Sequence, residues 1–286
     1  MGTERLLDSE VAQGIVAPQD FCNAKGAKTL GNENLKGRGI FNLTIEEYNA
    51  LNLSDEEKKL VKPFYTSKEL FQYWGNSENK LFVIYTDSKF KEKKEMKPYP
   101  NLKKHLDVFE KIITSYNKPY GLHRARDEKF FTSETILSLR KTERPKFTYT
   151  DFPCYVSQSY MLIKTDRWDL KFLTAVLNSK LIAFWLRHKG KMQGDNFQID
   201  KAPLLAIPLP ALSPDRSSLI SKLISLAEHM IVSQEELFKA RFESDKKFLQ
   251  QRVDILDEQI NRAVYELYGL SDEEIEIVEG EGVALM

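Results

Sequence analysis

The stretch Ile207-Pro-Leu-Pro-Ala-Leu-Ser-Pro214 divides the 286-residue sequence into two parts of different character. Three prolines in so short a window disfavour regular structure, so the stretch predicts a stiff connector. Before it, short apolar runs, turn residues and aromatics alternate, which is typical of a mixed α/β domain. After it, apolar residues recur at helical spacing. We therefore predict an α+β domain over residues 1–210 and a helical region over residues 211–286.

The region after the connector predicts a pair of amphipathic helices. Its apolar residues repeat at steps of three and four, which is heptad-like spacing. They are Leu219, Leu223, Leu226 and Met230, and then Leu249, Val253, Leu256, Ile260, Ala263 and Leu267. Ser233-Gln-Glu-Glu236 has the form of a capping box, so we predict two helices that meet near it rather than one long helix. Ser271-Asp-Glu-Glu274 predicts a further short, acidic helix. The pair is expected to pack on the preceding domain or on another protein.

Several segments of the first part carry clear secondary-structure signals. Branched and aromatic residues predict strands at residues 81–85, 146–150 and 155–163. Apolar periodicity predicts helices at residues 100–113 and 165–188. The apolar stripe of the second helix faces the core and consists of Leu170, Leu173, Val176, Leu177, Leu181 and Phe184.

The zero net charge conceals an uneven distribution along the chain. Residues 89–146 carry 16 Lys and Arg against 8 Asp and Glu, whereas residues 211–286 carry 8 against 16. A basic segment of this kind suggests an anionic partner. A solvated lysine-rich face explains the composition equally well.

Composition and motifs argue against several classes of protein. No apolar run approaches the roughly 20 residues of a membrane helix, and the first residues lack the features of a signal peptide, so we expect a cytoplasmic protein. Cys22 and Cys154 stand apart, which argues against a disulfide or a zinc site. No glycine-rich phosphate loop or GxSxG elbow occurs, so a bound nucleotide or a nucleophilic serine is not expected.

Groups suited to phosphate lie within the basic segment, on the polar face of the predicted helix 100–113 and shortly after it. Arginine presents a planar fork and lysine a compact charge, and both bind phosphate oxygens. The candidates for DNA-backbone contacts are Lys103, Lys104, Arg124 and Arg126. For the two arginines the alternative is salt bridging with Asp127 and Glu128.

A second polar segment, Gly190-Lys-Met-Gln-Gly-Asp-Asn-Phe-Gln198, contains side-chain amides. The amides of Gln193, Asn196 and Gln198 can hydrogen-bond the edge of adenine in a bidentate manner, which makes them candidates for base readout. The alternative is an ordinary glycine turn with surface amides.

A series of short motifs extends over nearly the whole chain in a characteristic order. They are Gln13-Gly-Ile-Val16, Val61-Lys-Pro-Phe64 with Tyr73-Trp74, Tyr99-Pro-Asn-Leu-Lys-Lys-His-Leu106, Leu122-His-Arg-Ala-Arg126, Arg144-Pro-Lys-Phe147, Leu177-Asn-Ser-Lys-Leu181, Ile207-Pro-Leu-Pro210 and the segment 256–270. This order resembles the TaqI-like C-terminal specificity domain. That domain is the target recognition domain of type IIG restriction-modification enzymes and related adenine-specific DNA methyltransferases.

The resemblance implies sequence-specific recognition of double-stranded DNA. The family's enzymes carry an Asn/Asp-Pro-Pro-Tyr motif and a glycine-rich cofactor motif, and this sequence has neither, so it looks like a non-catalytic specificity portion. The implied partners are duplex DNA and a methyltransferase or endonuclease domain or subunit, with no membrane. S-adenosylmethionine and Mg²⁺ would act in those catalytic parts, and no cofactor is expected here. The helical region would hold the catalytic domain.

Two other functions stay open from the sequence. Asp87 and Lys89 follow the predicted strand at 81–85, and a carboxylate near a lysine at a strand end would suit a metal-dependent DNA nuclease. The heptad-like helices would suit a helical protein-interaction scaffold whose basic segment is incidental.

Overall fold

The computed structural model describes residues 3–283, and the side chains up to residue 280. It is mixed helix and sheet with helices at the C-terminal end, as the sequence predicts. The strands are β1 (Thr3–Glu4), β2 (Val11–Gln13), β3 (Asn42–Thr44), β4 (Val61–Tyr65), β5 (Tyr73–Trp74), β6 (Leu81–Ile84), β7 (Thr135–Leu139), β8 (Lys141–Thr142), β9 (Phe147–Thr150), β10 (Tyr155–Val156), β11 (Tyr160–Ile163), β12 (Met192–Gln193), β13 (Asn196–Gln198) and β14 (Leu209–Pro210).

The two longest helices, α8 and α9, follow the connector. They are α1 (Ala24–Leu30), α2 (Ile45–Ala50), α3 (Asp55–Lys58), α4 (Pro100–Phe109), α5 (Leu170–Asn178), α6 (Lys180–Lys189), α7 (Lys201–Ala206), α8 (Ser217–Lys239), α9 (Glu243–Tyr268) and α10 (Asp272–Val283). Within residues 3–283, no helix is both long and apolar enough to cross a membrane.

Two larger sheets organise the first part of the chain. One has the order β2-β11-β7-β9-β5, with β11 antiparallel to both β2 and β7, and β5 parallel to β9. The other has the order β10-β4-β6-β3. Two small sheets accompany them: β12-β13-β8, and the pair β1-β14. The strands predicted at 81–85 and 146–150 are confirmed as β6 and β9, and the segment 155–163 forms β10 and β11 with a turn between them.

The five-stranded sheet lies between two hydrophobic clusters, because alternate residues of a strand point to opposite faces. In β7, Ile136 belongs to the cluster that contains the helices α5, α6, α8 and α9, whereas the next residue, Leu137, belongs to the cluster that contains α4 and the four-stranded sheet. Met161 and Leu162 in β11 divide in the same way. The central strands are therefore buried on both faces.

The prediction of one continuous helix over residues 165–188 is wrong, because two helices, α5 and α6, occupy this segment. Asp169 caps α5 by accepting hydrogen bonds from the N–H groups of Lys171 and Phe172. Ser179 is extended and fully buried; its hydroxyl donates to the carbonyl of Val176 and accepts the N–H of Ile182. These bonds satisfy the last turn of α5 and the first turn of α6, so the chain changes direction there.

The two long helices predicted after the connector are confirmed as α8 and α9, but they meet at residues 240–242 rather than near Ser233. Ser233 is buried inside α8, and its hydroxyl donates to the carbonyl of His229. The capping box at Ser271 and Glu274 is present and begins α10.

The C-terminal helices share a core with the sheet. Most of the heptad-like residues, among them Leu223, Met230, Val253 and Ile260, are buried in the same cluster as Ile136 and α5. The connector itself contains β14, which pairs with β1 at the other end of the segment 1–210. Hydrophobic contacts thus cross residue 210, and the division into a recognition domain and a helical region stays a prediction.

Candidate nucleic-acid interface

Arg124 and Arg126 occupy a segment that is fixed to the start of the chain. The backbone of Arg124 exchanges hydrogen bonds with Val16. Arg126 has a left-handed backbone, with φ of 72°, and its guanidinium donates to the carbonyl of Gly14 at 3.2 Å and to Oε1 of Gln13 at 2.8 Å. Burial, together with the positive charges of Arg124 and Arg140, lowers the pKa of Arg126. The site therefore already holds concentrated positive charge.

The predicted alternative, salt bridges from these arginines to the next two acidic residues, is not what the structure shows. Asp127 pairs with Lys129 at 3.6 Å. Glu128 pairs with Lys62 at 2.9 Å and accepts the hydroxyl of Tyr155. Both carboxylates are engaged elsewhere, and the side chain of Arg124 is exposed.

A chain of hydrogen bonds continues from Arg126 to the segment predicted to read bases. Nε2 of Gln13 and Nη1 of Arg140 both donate to the carbonyl of Gln158, at 2.9 and 3.3 Å. Arg140 also binds Asp200 through Nε and Nη2, and the other oxygen of Asp200 accepts from Nε2 of Gln198 at 2.7 Å. We call these residues the amide–arginine network; its members are Gln13, Arg126, Arg140, Gln158, Gln198 and Asp200.

The three predicted base-reading residues lie on one small sheet. β12 and β13 form a hairpin in which Gln193 pairs with Asn196, and Gly194 takes a positive φ of 61° in the turn. Side chains alternate along a strand and paired residues share a face, so Gln193, Asn196 and Gln198 lie on the same face. Phe197 points to the opposite face and is buried. The glycine turn named as the alternative is present, within a hairpin that places the three amides on one face, and base readout stays a prediction.

The outer strand β8 adds positive charge to this face. Lys141 pairs directly with Gln198, and Lys141 is exposed. Arg144 and Lys146, also exposed, follow in the loop that leads to β9. Cations that can contact phosphate therefore adjoin amides that can contact base edges.

Lys103 and Lys104 lie elsewhere, on α4. Nζ of Lys103 binds Asp107 at 2.6 Å and lies over the ring of Tyr120, and this carboxylate raises the pKa of Lys103. Lys104 is exposed. Within residues 3–280, no hydrogen bond or ion pair joins these two lysines to the amide–arginine network. The structure therefore links Arg126 to the amide hairpin through a series of hydrogen bonds in which, within residues 3–280, the two lysines take no part.

A family model for the TaqI-like C-terminal specificity domain matches residues 34–209, which is more than half of the chain. The chain belongs to this family. The match contains every member of the network except Gln13. Family and fold together support a role in DNA sequence recognition.

Two solved structures align with this chain to different degrees. The type IIL restriction-modification enzyme MmeI, solved in complex with DNA, aligns with a TM-score of 0.63 at 14% sequence identity, over 93% of this chain and 34% of MmeI. The type IIG restriction endonuclease BpuSI aligns with a TM-score of 0.44 at 14% identity, over 92% of this chain and 31% of BpuSI. This chain thus spans about a third of the length of either enzyme. No curated protein matches the sequence.

Four network residues of the specificity domain were not among the residues predicted from sequence: Gln13, Arg140, Gln158 and Asp200. Gln13 and Gln158 are 145 positions apart, and Arg140 and Asp200 are 60 apart. No local spacing reveals pairs so distant. The one local signal is the Gln13-Gly14 dipeptide, because a Cβ at Gly14 would lie 2.1 Å from the carbonyl oxygen of Ser157.

Asp87 and Lys89, the candidates for a nuclease site, have a local structural role in the specificity domain. Oδ1 of Asp87 accepts the N–H of Lys89 and begins a short 3-10 turn, while the ammonium of Lys89 lies over the ring of Phe90. In the described part of the chain, no group of three or more His, Cys, Asp or Glu side chains is arranged to hold a metal ion.

Proposed function

We propose that this chain recognises a specific sequence in double-stranded DNA, as the non-catalytic specificity portion of a type IIG restriction-modification enzyme or an N6-adenine DNA methyltransferase. The observation that carries the proposal is the amide–arginine network. It connects a half-buried arginine, a second arginine and a hairpin of three amides in a chain that belongs to a family of specificity domains.

The network and its neighbours would contact DNA in two ways, with some side chains binding the phosphate backbone and others binding base edges. Arg124 and Lys141 are exposed cations at its two ends and would bind phosphates. Gln193, Asn196 and Gln198 would read base edges, and amides pair well with adenine. Asp200 holds both Arg140 and Gln198, so it would fix the direction of the amide before DNA arrives. Lys103 and Lys104 on α4 would contact backbone phosphates of a longer DNA segment.

Catalysis would come from partner domains or subunits. A methyltransferase domain would use S-adenosylmethionine, an endonuclease domain would use Mg²⁺, and the target adenine would be extruded from the duplex into the methyltransferase. The helices α8–α10 would hold those parts at a set distance from the recognised sequence. This chain would supply binding and register.

The proposal is tested by fluorescence anisotropy with a random-sequence duplex pool at several salt concentrations, with and without EDTA. We expect binding that weakens steeply with salt, because phosphate contacts release counterions, and that is indifferent to EDTA. Repeated selection from the pool should then enrich one sequence, and the recovered DNA should be uncut. Absence of binding at every salt concentration, or binding with no enriched sequence, would contradict the proposal.

Two double variants distinguish binding by the network from nonspecific attraction of DNA to any basic residue. The double variant Arg124→Ala with Arg126→Ala removes two cations at the network. The variant Lys222→Ala with Lys247→Ala removes two exposed cations from α8 and α9. We expect the first pair to weaken binding and the second to leave it unchanged, with far-UV circular dichroism confirming that both proteins are folded.

A further inference from the structure

Tyr116 is an aromatic side chain held out in solvent, and its ring contacts His123, three positions before Arg126 of the amide–arginine network. It is 80% exposed, more than any other exposed large hydrophobic residue in the described part of the chain. Its ring lies against the imidazole of His123, with 4.7 Å between centroids and 39° between planes. An exposed ring usually lacks such support, so its orientation is set before any partner arrives.

The loop that carries Tyr116 is fixed by several hydrogen bonds. The N–H of Asn117 donates to Oγ of the buried Ser115 at 2.9 Å, and its side chain donates to the carbonyl of Leu122 at 2.8 Å. The N–H of Gly121 donates to the carbonyl of Asn117. A Cβ on Gly121 would lie 2.6 Å from the carbonyl oxygen of Asp87, so the loop packs closely on the body of the domain. Little conformational entropy remains to be lost when the ring binds something.

The segment that Tyr116 contacts at His123 carries two arginines and leads into the amide–arginine network. His123 is followed by the exposed Arg124, and Arg126 bonds to Gln13 and Gly14. Acidic residues of the same region are occupied by other lysines: Asp107 by Lys103, Glu110 by Lys93 and Asp127 by Lys129. Tyr116 therefore contacts a segment whose two arginines would attract a polyanion.

We propose that Tyr116 stacks on a base of the bound DNA, at a step where the duplex is opened or unstacked. Every base has a π-face on which an aromatic ring can lie, and side chains inserted at a base step are a common means of distorting a duplex. The inference rests on the proposed DNA-binding function and adds a contact that does not depend on charge. Its ligand is a base, and its geometry requires the ring rather than the hydroxyl.

Photo-crosslinking tests the contact directly without knowledge of the recognised sequence. The full chain is bound to a random-sequence duplex pool in which 5-iododeoxyuridine replaces thymidine, irradiated, digested and analysed by mass spectrometry. We expect a nucleotide adduct on Tyr116, retained in Tyr116→Phe and absent in Tyr116→Leu. Bound DNA without an adduct at residue 116 would overturn the inference and leave the proposed function standing.

Affinity measurements provide the second test, with an aromatic control. Tyr116→Ala should weaken binding about fivefold or more, the loss that corresponds to about 1 kcal/mol of stacking, with the dependence on salt unchanged. Tyr116→Phe should bind like the original chain. Phe248→Ala, which removes a 67% exposed ring from α9, should change nothing. If Tyr116→Ala and Tyr116→Phe weaken binding equally, the hydroxyl makes the contact rather than the ring. If Tyr116→Ala binds like the original chain, Tyr116 makes no contact with the DNA. Either result would overturn the inference. No DNA binding by the unchanged chain would overturn both proposals.

Discussion

At the scale of residues, the two arginines of His123-Arg-Ala-Arg-Asp127 have different roles. Arg126 takes a positive φ, which costs energy for a residue with a Cβ. The hydroxyl of Tyr85 donates to its carbonyl, and its guanidinium is held by Gly14 and Gln13, so the neighbours compensate that cost. Arg126 is thus a fixed, half-buried positive charge. Arg124 is exposed and keeps its donors available for a phosphate.

Arg124→Ala should therefore weaken DNA binding about equally for all sequences. One lost phosphate contact should reduce the slope of log K against log salt by about 1. The measurement is anisotropy at several salt concentrations with the selected sequence and with a scrambled one. Weaker binding confined to the selected sequence would instead assign Arg124 to base readout.

Gln198 and Asp200 should act as a unit in base discrimination. Gln198→Ala removes an amide that can make two hydrogen bonds to a base, at a cost of about 1–3 kcal/mol at one base pair. Asp200→Ala leaves the amide without its anchor and breaks the pair with Arg140, so it should lose much of the same discrimination. The double variant should cost less than the two single losses added together. Additive losses, measured against duplexes changed at single positions, would separate the two residues.

At the scale of elements, the sequence predicts the strands and helices whose apolar residues recur at a regular spacing. β6 and β9 have apolar, branched residues in short runs, and α8 and α9 carry long apolar stripes. Periodicity does not predict the break at Ser179, because a single serine beside an apolar stripe is compatible with a continuous helix. Its two hydrogen bonds, to Val176 and from Ile182, exist only where α5 ends and α6 begins. The network was missed for a related reason. Its amides were visible in the loop 190–198, but the partners that orient them lie on remote strands.

The segment that joins Gln13 to Val16 depends on close backbone contact. Gly14 donates to the carbonyl of Tyr160, and a Cβ there would also meet the carbonyl of Ser157. Gly14→Ala should destabilise the fold by about 1–3 kcal/mol, as forced overpacking does, and should displace the anchor of Arg126. Gly280→Ala, with open space around the added Cβ in α10, should be neutral or stabilising. Urea unfolding measures the stability of both variants. Equal stability would contradict the close contact between Gly14 and the carbonyl of Ser157.

At the scale of the whole molecule, the start of the chain is tied to the segment that leads into α5. β1 pairs with β14, so residues 3–4 meet the connector. Arg167 binds Glu10 through Nε and Nη2, at 2.8 and 2.7 Å, and Glu4 at 3.1 Å, while its guanidinium lies over the ring of Trp168 at 4.2 Å. Most of the heptad-like residues of α8 and α9 are also buried in this core. That burial leaves them unavailable for dimerisation, which disfavours the scaffold alternative.

The Glu10–Arg167 pair should make the free energy of unfolding fall as the pH is lowered. Burial of Glu10 opposes its charge, but hydrogen bonds from Arg167, the N–H of Leu7 and the hydroxyl of Thr165 prevail and lower its pKa to about 2. A lowered carboxyl pKa contributes stability that is complete above the unfolded value, near 4.5, and is lost as pH falls toward the folded value. The contribution is at most about 3 kcal/mol at neutral pH.

Glu10→Gln should therefore destabilise the chain at neutral pH, and the difference from the original chain should shrink as pH is lowered through that window. Urea unfolding at a series of pH values measures it. Asp8→Asn is the matched control, because Asp8 belongs to the same segment but its carboxylate is 84% exposed and meets Lys201 at the surface, where ion pairs contribute little. A Glu10→Gln deficit that is constant with pH would assign the effect to lost packing rather than to the charge on Glu10. A deficit that converges while the Asp8→Asn protein stays unchanged would show that the charged Glu10–Arg167 pair holds the first strands to the segment that leads into α5.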